Sequence, residues 1–166
     1  MLAVTTNTPD ATHAFGRTLA ARLSPGDVIF LTGDLGAGKT LLVQGIAAGL
    51  GFGERVTSPT FTIMHIYEGG RLTVYHFDLY RLDRPEQLDD IGFEEYKNPD
   101  GVAVIEWADK FTAEMPDAGL WITLKPGPDA AERVITLEPK GARYVALCEE
   151  LKQVADSSFR HGHAGI

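Results

Sequence analysis

Gly33-Asp34-Leu35-Gly36-Ala37-Gly38-Lys39-Thr40 holds the densest chemistry in this chain. The string fits G-x-x-x-x-G-K-[ST], the phosphate-binding P-loop. Its glycines let the backbone turn tightly and aim several N–H groups at one anion. Lys39 adds a point charge for the β- and γ-phosphates of a nucleotide. The Thr40 hydroxyl suits Mg²⁺, a hard cation that prefers oxygen. A helix starting there turns the positive end of its dipole toward the phosphates.

A P-loop needs a second carboxylate for its cation, placed at the end of an apolar strand beside the P-loop strand. Glu106 closes Val102-Ala103-Val104-Ile105 and has that setting. Asp78 is its competitor, since it ends Leu72-Thr73-Val74-Tyr75-His76-Phe77. His76 and Asp78 alternate on one strand and so face one side together. That sets an imidazole near a carboxylate, which serves either to orient water or to make a structural hydrogen-bonded pair. Ser58-Pro59-Thr60-Phe61 lies where P-loop proteins often carry a switch over the γ-phosphate. Trp107, beside Glu106, reads as a core residue. Asp89-Asp90-Ile91-Gly92 contains D-x-x-G but sits in an acidic helical stretch, and no N-K-x-D element selects guanine, so ATP is favoured over GTP.

These residues need elements to position them. Asp27 to Leu31 is β-branched and apolar, a buried strand, and Leu41 to Leu50 is helix-like and ends at glycines. Strand, loop and helix in that order are the context a P-loop requires. Upstream, Thr8-Pro9-Asp10 predicts a helix start, with Thr8 as N-cap and Pro9 in the first turn. That helix is expected to run to about Leu23, with Ala14, Phe15, Leu19 and Leu23 inward. Downstream, 60–67 and 72–77 form a hairpin across Glu68-Gly69-Gly70-Arg71. An acidic helix runs from Pro85 to about Tyr96. A second hairpin joins 120–125 to 133–137, and a helix over 142–155 follows. The expected fold is α/β, a P-loop NTPase-like three-layer domain over 1–156 whose mixed sheet contains antiparallel hairpins. Residues 157–166, with His161 and His163, read as a disordered and solvated tail.

The 166 residues suffice for one real core. Hydrophobic content of 44 % and charged content of 23 % are those of a soluble globular protein. No apolar run reaches the length of a membrane span, and the first residues lack the basic and apolar regions of a secretory signal. The single Cys148 cannot form an internal disulfide, reads as a buried structural thiol and fits a reducing cytoplasm. The net charge of −8 opposes direct binding of a phosphate backbone. If nucleic acid matters to this chain, a partner holds it.

Taken in order and spacing, the P-loop, Ser58-Pro59-Thr60-Phe61, His76-Phe77-Asp78-Leu79-Tyr80-Arg81-Leu82 and Val104-Ile105-Glu106-Trp107 resemble the TsaE family. Pro85-Glu86-Gln87-Leu88 through Ile91-Gly92-Phe93-Glu94-Glu95-Tyr96 resembles its acidic helix, and the likeness spans about Asp10 to Leu137. The resemblance implies an ATPase that supports threonylcarbamoyl modification of the tRNA adenosine beside the anticodon. It implies docking on a separate transferase, TsaD paired with TsaB, with tRNA met only through those partners. It makes Leu35, Gly36, Ala37, Gly38, Lys39 and Thr40 the phosphate cradle and Thr40 and Glu106 the Mg²⁺ ligands. Asp78 takes a part in hydrolysis or in coupling to the partner, with His76 in support. Arg133 falls in a region near the nucleotide, and Asp10 and Thr12 fall in a helix that approaches the adenine. Two rivals stand beside this reading. A small-molecule kinase would need an acceptor pocket and an arginine-rich lid, of which only Arg81 and Arg84 are candidates. A non-catalytic nucleotide sensor would produce no ADP.

Overall fold

The computed structural model describes residues 1–33, 38–53, 63–96 and 100–158. In chain order its elements are β1 (Leu2–Thr6), α1 (Pro9–Ala20), β2 (Val28–Gly33), α2 (Lys39–Gly49), β3 (Met64–Tyr67), β4 (Val74–Asp78), α3 (Gln87–Asp90) and α4 (Phe93–Tyr96). There follow β5 (Val102–Glu106), a 3-10 helix (Ala108–Glu114), β6 (Gly119–Pro126), β7 (Arg133–Lys140) and α5 (Ala142–Ser158).

The described strands form one sheet in the order β1-β7-β6-β2-β5-β4-β3. β6, β2, β5 and β4 run parallel, while β3 on one side and β7 and β1 on the other pair antiparallel. The sheet is therefore mixed, with the two hairpins read from the sequence at its flanks. The parallel strands are apolar on both faces because both faces are covered. Ile29, Leu31, Val102 and Val104 pack under α1, α2 and α5. Val28, Phe30, Ala103 and Ile105 pack against the short helices on the other side. These are the three layers of the expected α/β architecture.

α1 begins as the sequence predicts. Thr8 is extended, and its Oγ1 accepts from the Ala11 N–H at 3.0 Å, with Pro9 next in line. Such a cap stabilises by about 1 kcal/mol. Phe15, Leu19 and Leu23 are buried as expected, while Ala14 is only half-buried. α1 and α2 cross with almost no side chain between them. A Cβ built on Gly16 would stand 2.6 Å from the Leu42 carbonyl oxygen, and one on Gly45 would collide with the His13 carbonyl oxygen. Around this crossing Phe15, Leu19, Leu42 and Ile46 are fully buried, each contributing about 1.5–3 kcal/mol.

Three elements depart from the sequence reading. β1 was not expected, because its five residues bury only Val4 and Thr6, too few to mark a strand; register with β7, Val4 opposite Ile135, forms it. The acidic helix is two separate turns, α3 and α4, broken at Gly92, whose φ is +71°. Each turn buries one anchor, Leu88 and Phe93. α5 runs on to Ser158, so Ser157 and Ser158 close the helix instead of opening a tail. Residues 159–166 lie outside the described residues, as does 58–61.

Candidate functional site

The parallel strands end together. Leu31 lies opposite Glu106 and Asp78 opposite Glu106 in register, so Gly33, Glu106 and Asp78 share the carboxyl edge of the sheet. That edge is where open α/β sheets take ligands. Lys39, the first residue of α2, is buried there, which is rare for an ammonium without partners. Its Nζ donates to the Gly33 carbonyl oxygen at 2.8 Å and stands 4.0 Å from Glu106 Oε1 and 4.3 Å from the Trp107 ring centroid. The bond to Gly33 ties together the two ends of the phosphate-binding motif. A Cβ on Gly33 would come within 2.5 Å of the Leu124 carbonyl oxygen, so glycine is required where β2 meets β6.

Gly38 begins α2 at φ +99° and gives it no side-chain cap. Gly38 thus brings no side-chain oxygen of its own to the first N–H groups of the helix, which suits an anion site. Thr40 is the second residue of the helix and is half-buried. Arg133 begins β7, and its Nε would lie 3.9 Å from a Cβ on Gly38. Its guanidinium donates to the carbonyls of Ala130 and Glu132, each at 2.8 Å. Leu35, Gly36 and Ala37 lie outside the described residues.

Glu106 is 3 % exposed. Its Oε2 accepts from His76 Nε2 at 2.6 Å, and the opposite ring nitrogen, Nδ1, lies 3.0 Å from the Tyr67 hydroxyl. The carboxylate bonded to His76 is therefore that of Glu106, on the neighbouring strand, and not Asp78 of its own strand. Asp78 uses Oδ1 to accept the Tyr80 N–H at 3.0 Å. Burial pushes its carboxyl above the ordinary value. The Glu106 charge also raises it, while the Tyr80 hydrogen bond, His76 and Lys39 pull it down. These influences join Asp78, Glu106, His76 and Lys39 in one electrostatic group.

Trp107 holds φ +63°, the left-handed region that bulky residues seldom occupy. Strain of that kind gathers at functional sites and costs about 1–3 kcal/mol. The ring packs in part on the lower core, as the sequence suggests. It also lies over Lys39 and against Tyr80, with centroids 5.0 Å apart, so Trp107 borders the site as well. Thr12 is buried and its hydroxyl is 2.6 Å from that of Thr6, which ties α1 to β1. Cys148 is buried, and burial raises its thiol pKa, consistent with a structural role.

This donor set suits a polyphosphate and a hard cation. It offers a buried ammonium, an uncapped helix start, a hydroxyl at Thr40 and a carboxylate with one oxygen toward Lys39. Comparison with known proteins bears on which family built it. The model of the family described as threonylcarbamoyl adenosine biosynthesis protein TsaE matches residues 6–135. The chain belongs to the TsaE family. The tRNA threonylcarbamoyladenosine biosynthesis protein TsaE of Bacillus subtilis is 44 % identical over 145 residues, covering 87 % of this chain and 90 % of that protein. The TsaE of Treponema pallidum is 45 % identical over 114 residues, 69 % of this chain and 84 % of that one. The crystal structure of Bacillus subtilis YdiB superposes with a TM-score of 0.78 at 40 % identity, covering 92 % of this chain and 95 % of that one.

Within this TsaE-family chain, sequence reasoning named Lys39, Thr40, Asp78, His76, Glu106, Gly38 and Arg133, and the fold brings all of them to or beside one sheet edge. It passed over Tyr67, which lies on β3 two strands away from β5. An aromatic residue in a strand reads as core, and only its hydroxyl, bonded to a buried histidine, marks it out.

Proposed function

We propose that this chain binds and hydrolyses ATP with Mg²⁺ as an accessory of the complex that adds threonylcarbamoyl to the tRNA adenosine next to the anticodon. It would support turnover of the TsaD–TsaB transferase and would not transfer the group itself. The observation that carries the nucleotide part is Lys39. Its ammonium is buried at the start of a helix without a side-chain cap, bonded to Gly33 and facing a carboxylate on the adjacent parallel strand. Family membership carries the pathway part, because the relatives are named for that modification.

Thr40 and Glu106 would hold Mg²⁺, which when bound supplies charge neutralisation to the β- and γ-phosphates. Lys39 and the N–H groups of the loop and of α2 stabilise the charge that builds on the transferred phosphoryl group. Asp78 orients the attacking water or accepts its proton, a role favoured by its raised pKa. His76 holds Glu106 in place. Arg133 lies beside Gly38, where a guanidinium can meet phosphate.

The test is ADP release from Mg-ATP by the chain alone and with a TsaB–TsaD pair. Slow release that the pair accelerates severalfold is the expected result. Release that ignores the pair would remove the accessory role and leave the nucleotide site. No release under either condition would favour a nucleotide sensor.

A further inference from the structure

Tyr67 extends the site by a step that the reaction itself does not require. From β3 to α2 runs a buried line of polar atoms: the Tyr67 hydroxyl, His76 Nδ1 and Nε2, Glu106 Oε2 and Oε1, and Lys39 Nζ. The His76 ring is fully buried, and both of its nitrogens are met by oxygen. We propose that Tyr67 is a positioning residue whose hydroxyl donates to His76 Nδ1, fixes the ring with its proton on Nε2, and so aims the second Glu106 oxygen toward Lys39 and the cation.

The direction of both bonds depends on the tautomer of the ring, and the proposed one places the proton on Nε2. An ionised carboxylate only accepts, so Nε2 carries the proton in the 2.6 Å bond to Glu106. In that tautomer Nδ1 is the acceptor, and the Tyr67 hydroxyl faces it at 3.0 Å. Among the described residues His65 Nδ1 is a second acceptor near that hydroxyl, but at 3.5 Å it stands at the limit of a hydrogen bond. Burial, and then the Glu106 charge, push the phenol up to about 12, which keeps its proton in place for donation. With Oε2 held by His76, Oε1 is the Glu106 oxygen on the Lys39 side. Groups behind a metal ligand commonly set its orientation through such a bond. Here a histidine orients a carboxylate, and a tyrosine sets the histidine. The competing view is that Tyr67 only packs, since its ring also lies 5.2 Å from that of Phe52.

Tyr67→Phe keeps the ring and removes the hydroxyl. The first measurement is long-range ¹H–¹⁵N correlation of the His76 ring in the nucleotide-free protein. The expected spectrum is that of the Nε2–H form, with Nδ1 moving toward an unbonded acceptor in Tyr67→Phe. Fluorotyrosine labelling, which strengthens donation without changing the fold, moves Nδ1 the other way and serves if Tyr67→Phe does not fold. The second measurement rests on the ATP reading: affinity for a fluorescent ADP analogue with and without Mg²⁺. Tyr67→Phe should hold the Mg²⁺-free affinity within about twofold and lose about tenfold of the gain that Mg²⁺ brings. Tyr75→Phe, which removes a hydroxyl bonded to Asp100 on the exterior, should change neither. A doubly protonated His76 ring in the parent protein, unmoved ring shifts in both variants, or equal losses with and without Mg²⁺ would overturn the proposal. If the parent protein binds no analogue, the ATP reading fails, and the ring spectrum alone decides the role of Tyr67.

Discussion

Asp78 carries its charge at the end of β4 against its surroundings. An acid whose folded pKa is raised ionises more readily in the unfolded chain, so its charge works against folding at every pH above the ordinary aspartate value. The stability linked to this group is therefore greatest in acid and declines as pH rises through the raised value. Asp78→Asn removes the charge and keeps an oxygen for the Tyr80 N–H. The variant should melt at a higher temperature than the parent at pH 7, with the gap closing toward acid pH. Its ADP release should fall about 100-fold or more, the size of a general-base contribution. Melting curves at two pH values and an ADP assay check both halves, and a lower melting temperature at pH 7 would refute the first. Such opposition of stability and activity is common where a site keeps a charge partly dry. At this scale the sequence was legible wherever a chemical need named the residue. A phosphate motif named Lys39 and Thr40 and a strand end named Glu106, and the fold brings the three to one sheet edge. Tyr67 was illegible because only its bond to His76 on the adjacent strand marks it out, and Trp107 because its left-handed backbone has no sequence mark.

The crossing of α1 and α2 places the site among the elements. Lys39 and Thr40 open α2, so whatever holds that helix against α1 and the sheet also sets their distance from Glu106. The contact is made by bare backbone at Gly16 and Gly45, and one added methyl group has nowhere to go. Gly45→Ala should destabilise the fold by about 1–3 kcal/mol, the usual penalty for overpacking, and should weaken nucleotide binding although residue 45 lies more than a turn from the phosphate loop. Urea denaturation followed with nucleotide titration tests this. Unchanged stability would mean that the helices separate without loss. The elements themselves were largely readable. Thr8-Pro9 announces α1, a β-branched run announces β2, and the Gly69-Gly70 turn announces the first hairpin. β1 escaped because its ladder partner, β7, lies over a hundred residues away. The acidic stretch was misjudged because helical residues on both sides conceal a left-handed Gly92.

Strand order belongs to the whole molecule, and no local pattern in the chain encodes it. β2 precedes β5 and β6 by long crossovers yet ends between them, and only that placement sets Glu106 beside the P-loop. Charge is also a property of the whole. With 15 Lys and Arg against 23 Asp and Glu, the chain stands at −8. Binding to a nucleic-acid backbone gains most of its strength from cations that displace counterions, and that gain is largest at low salt. If tRNA is met only through partner proteins, the isolated chain should leave the mobility of tRNA unchanged even at about 50 mM salt, where any electrostatic binding would be strongest. The same tRNA with a TsaB–TsaD pair serves as the positive sample. A shift by this chain alone that weakened steadily with added salt would reveal a basic face despite the net charge, and would make the chain itself a carrier of the RNA. A shift insensitive to salt would point to base or loop contacts instead, and either result would remove the division of labour in which the partners hold the RNA and this chain handles the nucleotide.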